Sequence, residues 1–260
     1  MLIESFEPMR TAAAIDPSTV SSLPVLHDLN RRGIDLLAQA ARHKTDHPLS
    51  LISALKHELL ESTPVSRDRA AARAFLLLDL DFNNGPWWRA IVHDPERRIR
   101  KPTFQPVYPR ETALPLTRAT LITAWRAVCA DASAARILLG LDESIVEHLI
   151  TLPVTAIDLI AEHIHPHLRP RWADHPAFWR ALLRAANGGD SAKLSRIDIQ
   201  GIQLLAGDTL MTRTEQKSRP LVRDRSRRQS TSASAPTDVP AQESAAPAVD
   251  TRLERRRDRQ

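Results

Sequence analysis

Cysteine occurs once, at position 129, glycine only seven times, and aromatic residues make up 4% of the 260 positions. A single thiol excludes an intrachain disulfide framework and fits a reducing compartment. The glycines, at 33, 85, 140, 188, 189, 201 and 207, form neither GxGxxG nor GxxxxGK[ST]. Folds that cradle phosphate on backbone need such glycines, so a Rossmann or P-loop nucleotide site is excluded. GxSxG, HExxH and CxxC are also missing, and with them the common hydrolytic, zinc and redox signatures. We expect no catalysis, no cofactor and no metal. The longest apolar runs, such as Ala74–Leu78, fall far short of the roughly 20 residues a membrane span needs. The opening MLIESFEPMR has an acid at position 4 and no apolar stretch, unlike a secretory signal. The expectation is a soluble, cytoplasmic protein.

What is present is charge, unevenly distributed. The net charge is +5. From Arg213 onward there are 12 Arg and Lys against 7 Asp and Glu, which leaves the other 212 residues with 24 of each sign. The excess therefore belongs to the last 48 residues, STSASAPTDVPAQESAAPAVD flanked by RDRSRR and RLERRRDR. With few large apolar residues, residues 213–260 read as a disordered basic tail. Arginines in such an arm suit a phosphate backbone, and a solubilising role is the plain alternative.

Ahead of the tail the apolar spacing is mainly helical. Residues 1–22 read as a flexible N-terminus. Leu26, Leu29, Gly33, Leu36, Leu37 and Ala40 share one helix face. LSLISALKHELLE starts a second helix near Pro48, and Ser66 is placed to cap a third. Leu78, Leu80 and Phe82 then alternate with Asp79 and Asp81, a strand period ended by NNGP. Residues 95–117 hold five prolines and the basic RRIRK, and read as a linker. Beyond it the order recurs. A helix capped by Thr117 carries Leu121, Trp125, Val128 and Ala132 and runs to Gly140; Asp142 caps the next; Pro153 opens a third. The fold class expected is mostly α, with two tandem modules, 23–94 and 118–212, each with a short strand.

The registers support an internal duplication. Ala38 with Ala124, Ala54 with Gly140 and Phe82 with Leu168 share a spacing of 86, while WRAI at 88–91 and WRAL at 179–182 are 91 apart. At 86, Asp79 and Asp81 match His165 and His167. HIHPHLRPRW has His163, His165 and His167 at every second position, which raises the question of metal. Such a site needs ligands from another element, and only Asp174 and His175 are at hand. The histidines read as the solvated face of a strand.

DASAARILLGLDESIVEHLITLPVTAIDLIAEH, residues 131–163, resembles FlhD, a subunit of the bacterial flagellar master transcription activator. The resemblance rests on the Asp131-to-Gly140 spacing, the Ala-Ser-rich turn before ILLGL, the acidic start of the next helix, and TLP opening the third. It continues through HPHLRPRWAD and GDSAKLSRIDIQGIQLLAG, covering about 118–207, with fainter echoes in LHDLN (26–30), LLAQ (36–39) and LDLDFN (78–83). Two fused FlhD-like modules are also similar to regulators carried by integrative and conjugative elements. The resemblance implies a helical module that dimerises and works in transcription activation beside a zinc-bearing FlhC-like partner, whose cysteines this chain lacks. A tandem pair would replace the homodimer by folding its halves together, although a homodimer of the whole chain stays open. The family's arginine two before the turn glycine is Leu138 here, with Arg136 nearby. Its intermolecular disulfide is doubtful, because Cys129 falls on an apolar helix face where a buried residue is expected.

Residues 132–151 have the spacing of a helix-turn-helix, but Glu143, Glu147 and His148 lie on the would-be recognition face without Arg or Lys. Carboxylates entering a groove walled by phosphates are repelled, so packing between helices is the better account. DNA contact is expected instead from Arg97, Arg98, Arg100 and Lys101 in the linker and Arg223, Arg225, Arg227 and Arg228 in the tail. Partner contact is expected from SRIDIQGIQLLAG, through Ile199, Ile202, Leu204 and Leu205; packing on the chain's own core is the competing account. Two readings remain: a DNA-associated regulator acting in a complex, and a non-enzymatic adaptor of mobile-element replication or partition that makes no DNA contact.

Overall fold

A computed structural model describes residues 17–42, 49–94 and 105–218, with side-chain surroundings for 23–42, 49–94 and 105–208. These residues are mostly helical. Eleven α-helices and one two-stranded sheet are found among them, and residues on both sides of the expected linker pack around shared apolar side chains within one compact unit.

The first half opens with α1 (Pro17–Arg42), about 39 Å long at 1.5 Å per residue, which buries Leu26, Leu29, Ile34, Leu37 and Ala41 along one stripe. The expected second helix is broken at Leu55 into α2 (Ser50–Ala54) and α3 (Lys56–Glu61). The next helix, α4 (Pro64–Ala71), is capped by Thr63 rather than Ser66. Ser66 instead returns the bond as the third residue of a capping box, and Pro64 supplies the first turn. Strand β1 is only Leu78–Asp79, although Leu78, Leu80 and Phe82 are buried as the alternation requires. Pairing stops because Asp81 takes φ +55, a turn conformation that non-glycine residues adopt at a cost. Helix α5 (Gly85–His93) follows, capped by Asn84.

In the second half α6 (Arg110–Ala130) begins seven residues before Thr117, so Arg110–Leu116, expected in the linker, is helical and Thr117 is buried mid-helix. Helix α7 (Ala132–Leu139) is separate because Asp131 caps it with bonds from the Ser133 and Ala134 amides. Gly140 ends α7 at φ +62, where a Cβ would lie 2.0 Å from Nη1 of Arg171. A left-handed turn with no side chain is what ILLGL requires here. Asp142 caps α8 (Glu143–Thr151) as expected, and a 3-10 turn after Pro153 leads into α9 (Ile157–Ile164). The histidine triplet does not sit on a strand. His163 closes α9, His165–His167 form a 3-10 turn, and strand β2 is Arg169–Pro170. Helices α10 (Pro176–Gly188) and α11 (Ser191–Ser218) complete the unit, separated by Gly189.

The halves are interleaved. Strand β1 pairs antiparallel with β2, Leu78 opposite Pro170 and Asp79 opposite Arg169. Helix α1 crosses α6, while α5 lies on α8 and α10 lies on α3 and α4, so a helix of each half rests on the other. Among the described residues no single helix is long and apolar enough to cross a membrane.

Candidate functional site

The strand crossing brings together most of the ionisable groups that the alternating patterns single out. Asp79 and Asp81 come from the first half; His167, Arg169 and Arg171 come from the second. Arg169 donates through Nη2 to Asp79 Oδ2 at 2.9 Å and to Asp81 Oδ1 at 2.5 Å. His167 Nδ1 donates to the other oxygen of Asp81 at 2.7 Å, with its ring 4.3 Å from that of Trp87. The two residues matched by the 86-residue spacing, Asp81 and His167, are therefore contact partners and not equivalents. The neighbouring carboxylates hold Arg169 above the ordinary guanidinium value despite the opposing effect of its burial.

Arg171 is only 6% exposed, a costly place for a charge. It donates to the carbonyls of Leu139, at 2.6 Å, and Leu78, with Asp79 Oδ1 at 4.0 Å as a counter-charge. Burial pulls its pKa down, against the attraction of Asp79 and Asp208. Asn30, fully buried, positions the approach to β1: its Nδ2 donates to the carbonyls of Ala71 and Phe75, and its Oδ1 accepts from the Leu77 amide at 2.7 Å. Beside the crossing lies a cavity of about 410 Å³ whose lining includes Asp79, Asp142, Asp174, Asp208, Arg169 and Arg171.

Several features recur at a spacing of 91. Strand β1 maps onto β2, and Asp81 (φ +55) onto Trp172 (φ +52). The Asn84 amide donates to Asp81 O and the His175 amide to Trp172 O, both at 2.9 Å. Trp88 Nε1 donates to Leu80 O at 3.1 Å and Trp179 Nε1 to Arg171 O at 2.8 Å. Each tryptophan thus pins the turn that precedes its helix. The spacing of 91, which the sequence indicates only for the tryptophans, extends back through the strands and replaces 86 there.

The second surface of interest is α11. Leu194, Ile197 and Leu205 are buried, and the helix crosses Phe75 at Gly201, where a Cβ would lie 2.1 Å from the ring. That glycine permits close packing. Asp198 pairs with Arg73 at 2.8 Å, and Trp172 Nε1 donates to Asp208 at 2.8 Å. The four expected partner residues divide: Leu205 is buried and Leu204 is half-buried against the core, whereas Ile199 is 61% and Ile202 44% exposed. Burial of Leu205 in this chain removes it from the reachable surface.

The histidines serve separate ends: His163 Nδ1 donates to Leu159 O and His165 Nδ1 to Glu162 O. No group of three metal-ligating side chains is found among the described residues. Cys129, expected to be buried, is exposed. On α8, Glu143, Glu147 and Ile150 face solvent while Ile145, Val146 and Leu149 are buried, so its exposed side is acidic and apolar. Arg97, Arg98, Arg100, Lys101, Arg223, Arg225, Arg227 and Arg228 all lie outside the described residues. Asn30, Glu58 and Arg171 went unread in the sequence; only the placement of Asn30 within LHDLN hints at a role. No family model, no curated protein and no solved structure matches this chain.

Proposed function

We propose that this chain is an activator subunit of a DNA-associated transcriptional regulator, controlling genes of a mobile element together with an FlhC-like partner. The observation that carries the reading is the divided use of α11. One stripe of the segment that resembles FlhD anchors on the core, while Ile199 and Ile202 project from the other. Exposed apolar side chains on a firmly seated helix are available to a partner, although a docking site needs them to form part of a contiguous apolar patch. The charge distribution supports DNA association, since the net +5 of the chain lies from Arg213 onward. Linker and tail arginines then hold phosphate without reading bases. The 91-residue recurrences support reading the halves as two FlhD-like modules fused in one chain, a pseudo-dimer that replaces the homodimer. The adaptor reading draws on the acidic exposed side of α8, which suits protein contact and opposes a DNA groove.

A pair of variants tests the proposal. Since α11 runs to Ser218, the chain is cut after that residue, which removes 10 Arg and 6 acidic residues. The truncated chain should bind DNA more weakly, with a flatter salt dependence. The change Ile199→Asp with Ile202→Asp should abolish co-purification with the native partner while leaving circular dichroism unchanged. DNA retention by the truncated chain equal to that of the full chain at every salt concentration would overturn the tail's role. Undiminished co-purification of the α11 variant would remove Ile199 and Ile202 from the interface.

A further inference from the structure

The 91-residue equivalence, and with it the reading of the halves as duplicated modules, allows each half to be set against a second copy of itself. At the strand crossing the first half contributes Asp79 and Asp81, and the second contributes His167, Arg169 and Arg171. Two second halves paired in the same register would set Arg169 opposite Pro170 of the other copy. Two sets of His167, Arg169 and Arg171 would then converge with no strand carboxylate between them. The helix joints point the same way. Arg180 and Arg184 of α10 now meet Glu58 of α3, at 3.5 and 2.9 Å. In the helices before the strands the burial pattern matches at 90 instead of 91: Leu55, Leu59 and the exposed Leu60 of the first half align with Ile145, Leu149 and the exposed Ile150 of the second, which places His148 where Glu58 stands. A self-paired second half would therefore lay Arg180 and Arg184 on His148. Two first halves would crowd four carboxylates at the crossing, although Arg89 and His93 of α5 would meet Glu58. Like charges facing each other disfavour a pairing more reliably than a surface ion pair stabilises one.

We propose that the crossing between β1 and β2 is a pairing code: it makes the two halves complementary to each other and bars the second half from pairing with a second copy of itself. The chain then completes its own helical unit, and a further copy can enter this surface only by exchanging unlike halves, first against second.

The test uses full-length chains with altered charge. One variant carries Asp79→Arg and Asp81→Arg, replacing both strand carboxylates with cations; the other carries His167→Asp and Arg169→Asp, adding carboxylates. Each alone should unfold about 5 °C or more below the wild type, given the usual few degrees per unit of stability in a domain of this size. Co-expressed, they should form a 1:1 complex of twice the 29.1 kDa chain mass by light scattering, each first half pairing with the other chain's second half. A single chain with all four changes should be monomeric again, with its melting midpoint restored. Failure of the two variants to associate overturns the proposal, whether or not each is stable alone. So does a fourfold variant no more stable than the twofold ones. DNA retention, which tests the regulator reading, is scored separately and stands or falls independently.

Discussion

Each half lays one helix, α5 or α10, across the other half, and the two joints treat charge in opposite ways. At α10 on α3, Glu58 is 4% exposed and takes Arg184 Nη2 at 2.9 Å, Arg180 Nε at 3.5 Å, and an Asn187 amide bond to its backbone carbonyl. At α5 on α8, Arg89 and His93 stand at the positions of Arg180 and Arg184, but they meet His148, whose Nε2 is buried without a partner. The backbone arrangement is shared while the electrostatics are reversed. One joint is closed by a compensated charge; at the other, burial and the nearby Arg89 and His93 disfavour charging of the imidazole. A single chain is free to differ at two such positions, which a homodimer must keep identical.

The largest expected effect comes from the tryptophans common to both joints. Trp88 and Trp179 are 0% and 1% exposed, and each donates to the carbonyl eight residues earlier. Replacing either with alanine removes a large buried side chain and a satisfied hydrogen bond, costing about 3–5 kcal/mol. Urea denaturation of Trp88→Ala and Trp179→Ala should give similar losses. If Trp88→Ala costs less than half as much, the joints are unequal in packing as well as in charge.

These joints show how far the sequence was legible. Local chemistry read through well: Asp142 caps α8 and Pro153 precedes α9, because those signals act within one helical turn. The turn glycine of ILLGL read through for the same reason. The alternation over 78–82 correctly placed Leu78, Leu80 and Phe82 inside, but it overstated the strand, since nothing in a period of two reveals that Asp81 turns the chain. The alternating histidines misled further, because Pro166 and the end of α9 support a 3-10 turn with the same spacing. Glu58 and Arg171 were silent, since Glu58 is defined by Arg180, Arg184 and Asn187, the last two 126 and 129 residues away, and Arg171 by carbonyls 32 and 93 residues away. Ile199 and Leu205 were indistinguishable as apolar residues, and only the direction in which α11 lies on Phe75 separates them.

A smaller effect sharpens the charge comparison. Glu58→Gln keeps the shape of the side chain but removes the counter-charge that Arg180 and Arg184 share. Both arginines reach solvent, so the loss should be about 1–2 kcal/mol and not the larger cost of stranding a fully buried ion. High salt should narrow the gap between wild type and variant, because screening weakens what the variant lacks. A gap that stays constant from low to high salt would mean that Glu58 acts through packing and hydrogen bonding alone.

The smallest effect belongs to the α5 joint and appears only with acid. Burial, followed by Arg89 and His93, lowers the His148 pKa from its ordinary 6.5, against a smaller opposing pull from Glu147. His27, near α11, is lowered as well, by burial first and then by Arg73, with Asp198 opposing. A histidine whose folded pKa lies below its unfolded value binds fewer protons in the folded state. Its contribution is present above pH 6.5 and is lost as pH falls through that value toward the folded pKa. The wild type should therefore be less stable at pH 5.5 than at pH 7.5. His148→Gln, which cannot take up the proton, should lose less over the same interval while matching the wild type closely at pH 7.5. The His27→Gln variant separates the two contributions, since it relieves the α11 side and leaves the α5 joint untouched. Denaturant midpoints for the three proteins at both pH values decide the matter. If His148→Gln follows the wild-type pH dependence without change, Arg89 and His93 do not press on that imidazole, and the two joints differ only in whether a carboxylate is present.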